Sequence, residues 1–170
     1  IGHRGVAMRQ KGVLGALDPA SREVEKVILD GLNSGEPPMR QASASALGRM
    51  GLEGGVRPLV QRLKLEKNYH VRKTLCEALS SLGSPTAIKD LRAQMESKDE
   101  INEVKAQAAL ALAQLGDRTG KEYLLGALSS PDPTMQLLGF TGLVMSGDPD
   151  LAGYLGQALD SPHDVIWVAA

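Results

Sequence analysis

The sequence predicts an all-α solenoid, a superhelical stack of antiparallel helix pairs. Two observations carry this. Segments ending in Gly51, Gly83 and Gly116 repeat one pattern (Ala-Leu, a short polar or small stretch, then an apolar residue and glycine), with a weaker copy ending in Gly147. The chain is also poor in aromatic residues, with Phe140, Trp167 and three tyrosines against many Leu, Ala, Val and Met. Small or unbranched side chains of that kind suit close-packed helices better than sheets.

The terminal glycines lie 32, 33 and 31 residues apart, the spacing of a repeat array. Twelve residues before each stands an apolar residue, usually followed by a polar one: Met39-Arg40, Val71-Arg72, Val104-Lys105 and Met135-Gln136. Eight and twelve residues after each stand two more apolar residues: Leu59 and Leu63, Leu91 and Met95, Leu124 and Leu128, Leu155 and Leu159. A degenerate landmark at Ala20 extends the frame back to Met8-Arg9, Ile28 and Leu32, and Ile166-Trp167 opens a further copy. Residues 1–170 therefore read as a single repeat domain, five repeats plus the start of a sixth. The start at Ile1 and the apolar end 165–170 read as cuts in a longer protein. Gly12 and Gly15 at core positions make the first repeat the most worn.

Each repeat reads as two helices, about ten complete helices in a right-handed stack without strands. In helix A, Val71, Leu75, Ala78, Leu79 and Leu82 fall on one face of a 3.6-residue period. The glycine that follows suits the left-handed residue that ends many helices. Asp18-Pro19, Ser84-Pro85 and Asp148-Pro149 then read as a capping residue and a first-turn proline opening helix B. One helix pair cannot bury its apolar faces alone, whereas stacked pairs share a continuous core.

The net charge is −1, which makes a nucleic-acid partner unlikely for the chain as a whole. Residues 1–73 nevertheless carry 13 Lys+Arg against 7 Asp+Glu, and residues 74–170 carry 6 against 13. Those halves allow head-to-tail self-association. No apolar run reaches the ~18 residues of a membrane span. Cys76 is the only cysteine, so no intrachain disulfide and no cysteine metal cluster can form. It falls beside the core stripe and reads as a small, partly buried residue. His3, His70 and His163 read as surface-loop residues. The glycine-rich stretch 51–55 lacks the strand and lysine of a phosphate loop and reads as a helix–helix turn. The sequence gives no catalytic residue, no metal ligand and no cofactor.

The repeat length and the Val-Arg…Ala-Leu-Gly…Leu…Leu spacing resemble the HEAT repeat, most closely the short HEAT-like repeats of the phycobilisome-lyase type. The resemblance covers nearly the whole chain. It implies a non-catalytic scaffold or adaptor for a protein or peptide partner, with an enzyme or accessory factor (bilin-lyase-like, or glycosylase-like on nucleic acid) as the alternative. HEAT-like metal hydroxylases carry His-Glu pairs, and this chain has no His-Glu dipeptide. The resemblance further implies that the Arg9, Arg40, Arg72, Lys105 column bonds to neighbouring repeats as a structural ladder, weakening where Gln136 and Trp167 follow. It places partner contact on helix B, at the concave face. The residues expected there are Tyr123, Tyr154, Glu122, Gln157, Asp90 and Arg57, with Gly126, Gly153 and Gly156 keeping the surface open. Tyrosine suits such a surface because it offers large area with little rotamer entropy.

Overall fold

A computed structural model describes residues 19–159. Among these residues there are nine α-helices and no strand: α1 Pro19–Gly31, α2 Pro37–Met50, α3 Val56–Leu65, α4 Tyr69–Leu82, α5 Ile88–Glu96, α6 Asn102–Gln114, α7 Arg118–Leu128, α8 Pro133–Ser146 and α9 Leu151–Leu159. The even-numbered helices are the A helices and the odd-numbered ones the B helices. Short 3₁₀ turns, Glu53–Gly55 and Pro85–Ala87, lead into α3 and α5. The first repeat's helix A (Met8, Arg9, Gly12, Gly15), the Asp18 cap and the sixth copy at Ile166-Trp167 lie outside the described residues.

The landmark glycines do what their position in the sequence requires. Gly51, Gly83, Gly116 and Gly147 have φ between 64° and 80°, and they are the positive-φ residues among those described. Only a residue without Cβ enters that region at low cost, so each glycine turns the chain from helix A towards helix B. Of the expected openings of helix B, Asp148 accepts from Asp150 N at 2.9 Å before α9, whereas Ser84 differs from the sequence reading. Ser84 makes no side-chain cap, and its hydroxyl bonds Thr86 Oγ1 at 2.8 Å before a 3₁₀ turn. Asp117 does cap α7, accepting from Thr119 N at 3.0 Å.

Two layers result. Successive A helices pack directly on one another, α2 on α4, α4 on α6 and α6 on α8. The B helices α1, α3, α5 and α7 each pack on the A helix that follows, and no two successive B helices among the described residues approach as closely. Between the layers runs one core, in which Leu47, Leu59, Leu75, Leu79, Leu91, Leu112, Leu124 and Leu143 are fully buried. The expected stripe of α4 lies there: Val71, Leu75, Ala78 and Leu79 are buried, and Leu82 is partly so. Met39 is an exception to its column. It is 54% exposed, beside Gly31, which has no side chain to cover it. Cys76 also departs from expectation, being wholly buried because α4 is enclosed by α2, α3 and α6.

Small residues set the helix spacing. Buried Ala106, Ala108, Ala109 and Ala111 let α6 take α4, α5, α7 and α8 around it. A Cβ on Gly139 of α8 would lie 2.5 Å from Leu128 N and 2.6 Å from Leu124 O, both backbone atoms of α7. Gly139→Ala therefore forces two helices apart and is expected to cost about 1–3 kcal/mol, against the gain of up to about 1 kcal/mol that alanine gives in an open helix. Exposed Gly126 on α7, with nothing within 4 Å of its Cβ position, is the matched control. Urea unfolding of both variants checks the opposite signs, and a stable Gly139→Ala would deny the close approach.

Candidate functional site

Along the A layer Arg40 and Arg72 form the rungs of the expected ladder, while the side chain of Lys105, next in the column, makes no hydrogen bond or ion pair among the described residues. Arg40 Nε and Nη2 reach Glu66 Oε2 and Oε1 at 2.7 and 2.8 Å, and its Nη1 donates to the carbonyls of Ser34 and Gly35. Arg72 repeats this one unit later. Its Nη2 donates to Glu100 Oε1 at 2.8 Å, Nε lies 2.6 Å from Oε2 in an ionic contact outside hydrogen-bond geometry, and Nη1 donates to the carbonyls of Glu66 and Lys67. Each guanidinium thus ties the loop behind it to the loop ahead. Gln136 keeps only the backward half, donating to Ser130 O at 2.8 Å.

Glu66 is the node. Its side chain is wholly buried, bonded also by Arg62 and by the N–H groups of Lys67 and Asn68. Burial, the largest single influence, pushes its carboxyl pKa up. The Arg40 hydrogen bonds, the Asn68 N–H and the Arg62 charge outweigh it and hold the pKa down at about 2, from the usual 4.5. A carboxylate whose folded pKa is depressed stabilises fully above its unfolded pKa and loses that stability as pH falls through the folded one. The stability difference between wild type and Glu66→Gln is therefore expected to be full above pH 4.5 and to shrink towards pH 2. It amounts to at most about 3 kcal/mol, less after solvent screening. Chemical unfolding of both proteins across that range checks it.

The B layer carries a second set of links that no sequence column announced. Lys64 Nζ lies 2.7 Å from Asp90, Arg92 Nη2 2.5 Å from Asp117, and Lys121 Nζ 2.8 Å from Asp148. Each joins one repeat to the next. The Arg92 hydrogen bond holds the Asp117 carboxyl below its ordinary range, and the Lys121 hydrogen bond does the same for Asp148.

The expected surface residues divide among three settings. Arg57 and Asp90 come together on one open groove of about 880 Å³ between α3 and α5, with Val56, Val60, Leu82 and Lys64. Tyr123 is partly buried and packs on the core, and that burial raises its hydroxyl pKa. Beside it on α7, Glu122 pairs with Arg118 at 2.7 Å in solvent. Tyr154 lies under Lys121, whose Nζ is 4.9 Å from the ring centroid, and its hydroxyl donates to Asp150 at 3.3 Å. The side chain of Gln157 lies outside the described residues. Gly126, Gly153 and Gly156 are exposed, with open space where a Cβ would stand.

The other candidates are placed as follows. Burial pushes the Cys76 thiol up to about 12, the nearby Glu100 adding and Arg72 opposing, so it is a neutral thiol at pH 7. His70 is exposed, its ring centroid 3.8 Å from that of Tyr69; His3 and His163 lie outside the described residues. Among the described residues no three His, Cys, Asp or Glu converge as a metal site, and no helix is long and apolar enough to cross a membrane.

Paired helices, left-handed glycine turns and an arginine ladder between repeats are thus all in place. The family model of HEAT repeats matches residues 25–102. HEAT repeats generally mediate protein–protein interaction. The match spans α2 to α5 in full, so it contains Arg40, Glu66, Arg72 and the α3–α5 groove. It is to HEAT repeats at large and does not single out the phycobilisome-lyase type. No curated protein matches the chain.

Proposed function

We propose that this HEAT-repeat stack is a non-catalytic scaffold that binds a protein or peptide on its B-helix surface. The observation that carries the reading is the contrast between the layers. The A helices close on one another, while the B helices leave a groove between α3 and α5 and an exposed glycine row on α7 and α9. Open concavities with an apolar floor and a polar rim are where partners gain most from excluding water. Tyr154 and Arg57 supply the aromatic and guanidinium groups that dominate such contacts. Tyr123, packed on the core, supports the surface from below, and truncating it would disturb folding as well as binding.

Obstruction of the surface tests this better than truncation. Gly126→Arg and Gly153→Arg place bulk on exposed positions where a side chain meets nothing. Co-purification from the source cell is expected to lose partners when this pair is combined with Gln61→Trp, exposed on the wall of the α3–α5 groove, and to keep them with Ser81→Arg on the exposed side of α4. Partners retained at equal strength by the Gln61→Trp, Gly126→Arg, Gly153→Arg protein would refute the assignment of this surface.

A further inference from the structure

Three cations occupy one position on three successive B helices: Lys26 on α1, Arg57 on α3 and Lys89 on α5. All three are exposed, and none enters an ion pair among the described residues. This sets them apart from Lys64, Arg92 and Lys121, which link neighbouring repeats. The column ends at Glu122, already paired with Arg118. Arg57 stands on the wall of the α3–α5 groove, whose apolar surface comes from Val56, Val60, Leu82 and Pro85. Lys89 lines the adjoining depression on α5 with Ile88 and Ala93. None of the carboxylates nearby forms an ion pair with the column among the described residues, Glu23, Glu25 and Asp30 beside Lys26 on α1 included. Asp90 is held by Lys64, and Glu53 and Glu96 line the two depressions without reaching Arg57 or Lys89 as ion partners.

An unneutralised cation at each repeat is a periodic feature, and its period selects a ligand. Packed helices stand about 10 Å apart, the B helices stand farther apart because they do not pack on one another, and an extended chain advances about 3.3 Å per residue. A carboxylate at every fourth residue of an extended segment stays on one face and advances about 13 Å, and so meets one cation per repeat, with apolar side chains between them free to enter the groove. We propose that the α1–α3–α5 surface docks an acidic, extended peptide segment whose carboxylates are four residues apart. The proposal rests on the scaffold reading and adds the chemistry of the partner.

The test is fluorescence anisotropy of a labelled peptide with glutamate at every fourth position and leucine or serine between, titrated with the full chain. Binding is expected to weaken with added salt and to fall about tenfold in Arg57→Glu. The exposed Arg49→Glu on α2, equal in charge change, is expected to leave it unaltered. A peptide of the same composition with its glutamates clustered is expected to bind more weakly. Equal binding by wild type and Arg57→Glu, or equal loss in Arg57→Glu and Arg49→Glu, would overturn the proposal. So would a single-stranded oligonucleotide that displaces the peptide and itself depends on Arg57, or a dimer of the chain that Arg57→Glu dissociates. These outcomes leave the scaffold reading to its own test, since the Gln61→Trp, Gly126→Arg, Gly153→Arg comparison does not depend on the partner's charge.

Discussion

Glu66→Ala is expected to destabilise the protein by about 3–5 kcal/mol, more than any single loss on the surface. The substitution removes both acceptors from the Arg40 fork and leaves a guanidinium whose side chain is 10% exposed without its counter-charge. It also strips the N–H groups of Lys67 and Asn68 of their acceptor, just where the loop turns into α4. Removing one member of a buried pair costs far more than removing both, because the remaining charge keeps its desolvation penalty. The double variant Arg40→Met, Glu66→Met is therefore expected to be less destabilised than the sum of the single changes, though still short of wild type, since the Ser34 and Gly35 carbonyls also lose their donor. Urea unfolding of the four proteins gives the coupling directly. Additive losses would mean that the ladder is a set of exposed contacts.

Leu79→Ala is expected to cost about 2–5 kcal/mol. Leu79 is wholly buried on α4, a helix packed against α2, α3 and α6. The cost falls at the upper end where the walls of a cavity cannot relax inward. Here α4 is pinned at its start by Arg72 to two loops and along its length by Ala78 against Gly48, where a Cβ on Gly48 would be 2.8 Å from Ala78 Cα. Thermal or urea unfolding measures it, and a loss under about 1 kcal/mol would show that the position is not core.

The fold was legible because its determinants repeat. The left-handed glycines, the apolar positions eight and twelve residues beyond them and the stripe on α4 all recur at fixed offsets, and those with described side chains lie in or against the core. The arginine column was legible for the same reason. Its partners were not. Arg40 pairs with Glu66 and Arg72 with Glu100 at separations of 26 and 28 residues, because the loop from α5 to α6 is longer than that from α3 to α4. The B-layer pairs vary likewise, from 25 residues for Arg92 and Asp117 to 27 for Lys121 and Asp148; Asp117 and Asp148 each follow a landmark glycine, but their cations share no column. Of the surface residues, Arg57 and Asp90 meet in one groove, which depends on the spacing of α3 and α5. Tyr123 shows the limit of reading a column by residue type. A half-buried tyrosine with its ring on the core and an exposed one share the same sequence signal.

Hydrogen exchange on the protein with its partner bound reads the interaction surface segment by segment. The account predicts new protection over α3, α5 and α7 (residues 56–65, 88–96 and 118–128), with α2 and α4 unchanged. Protection that instead appears on α2 and α4, residues 37–50 and 69–82, while the B helices exchange as in the free protein, would contradict it.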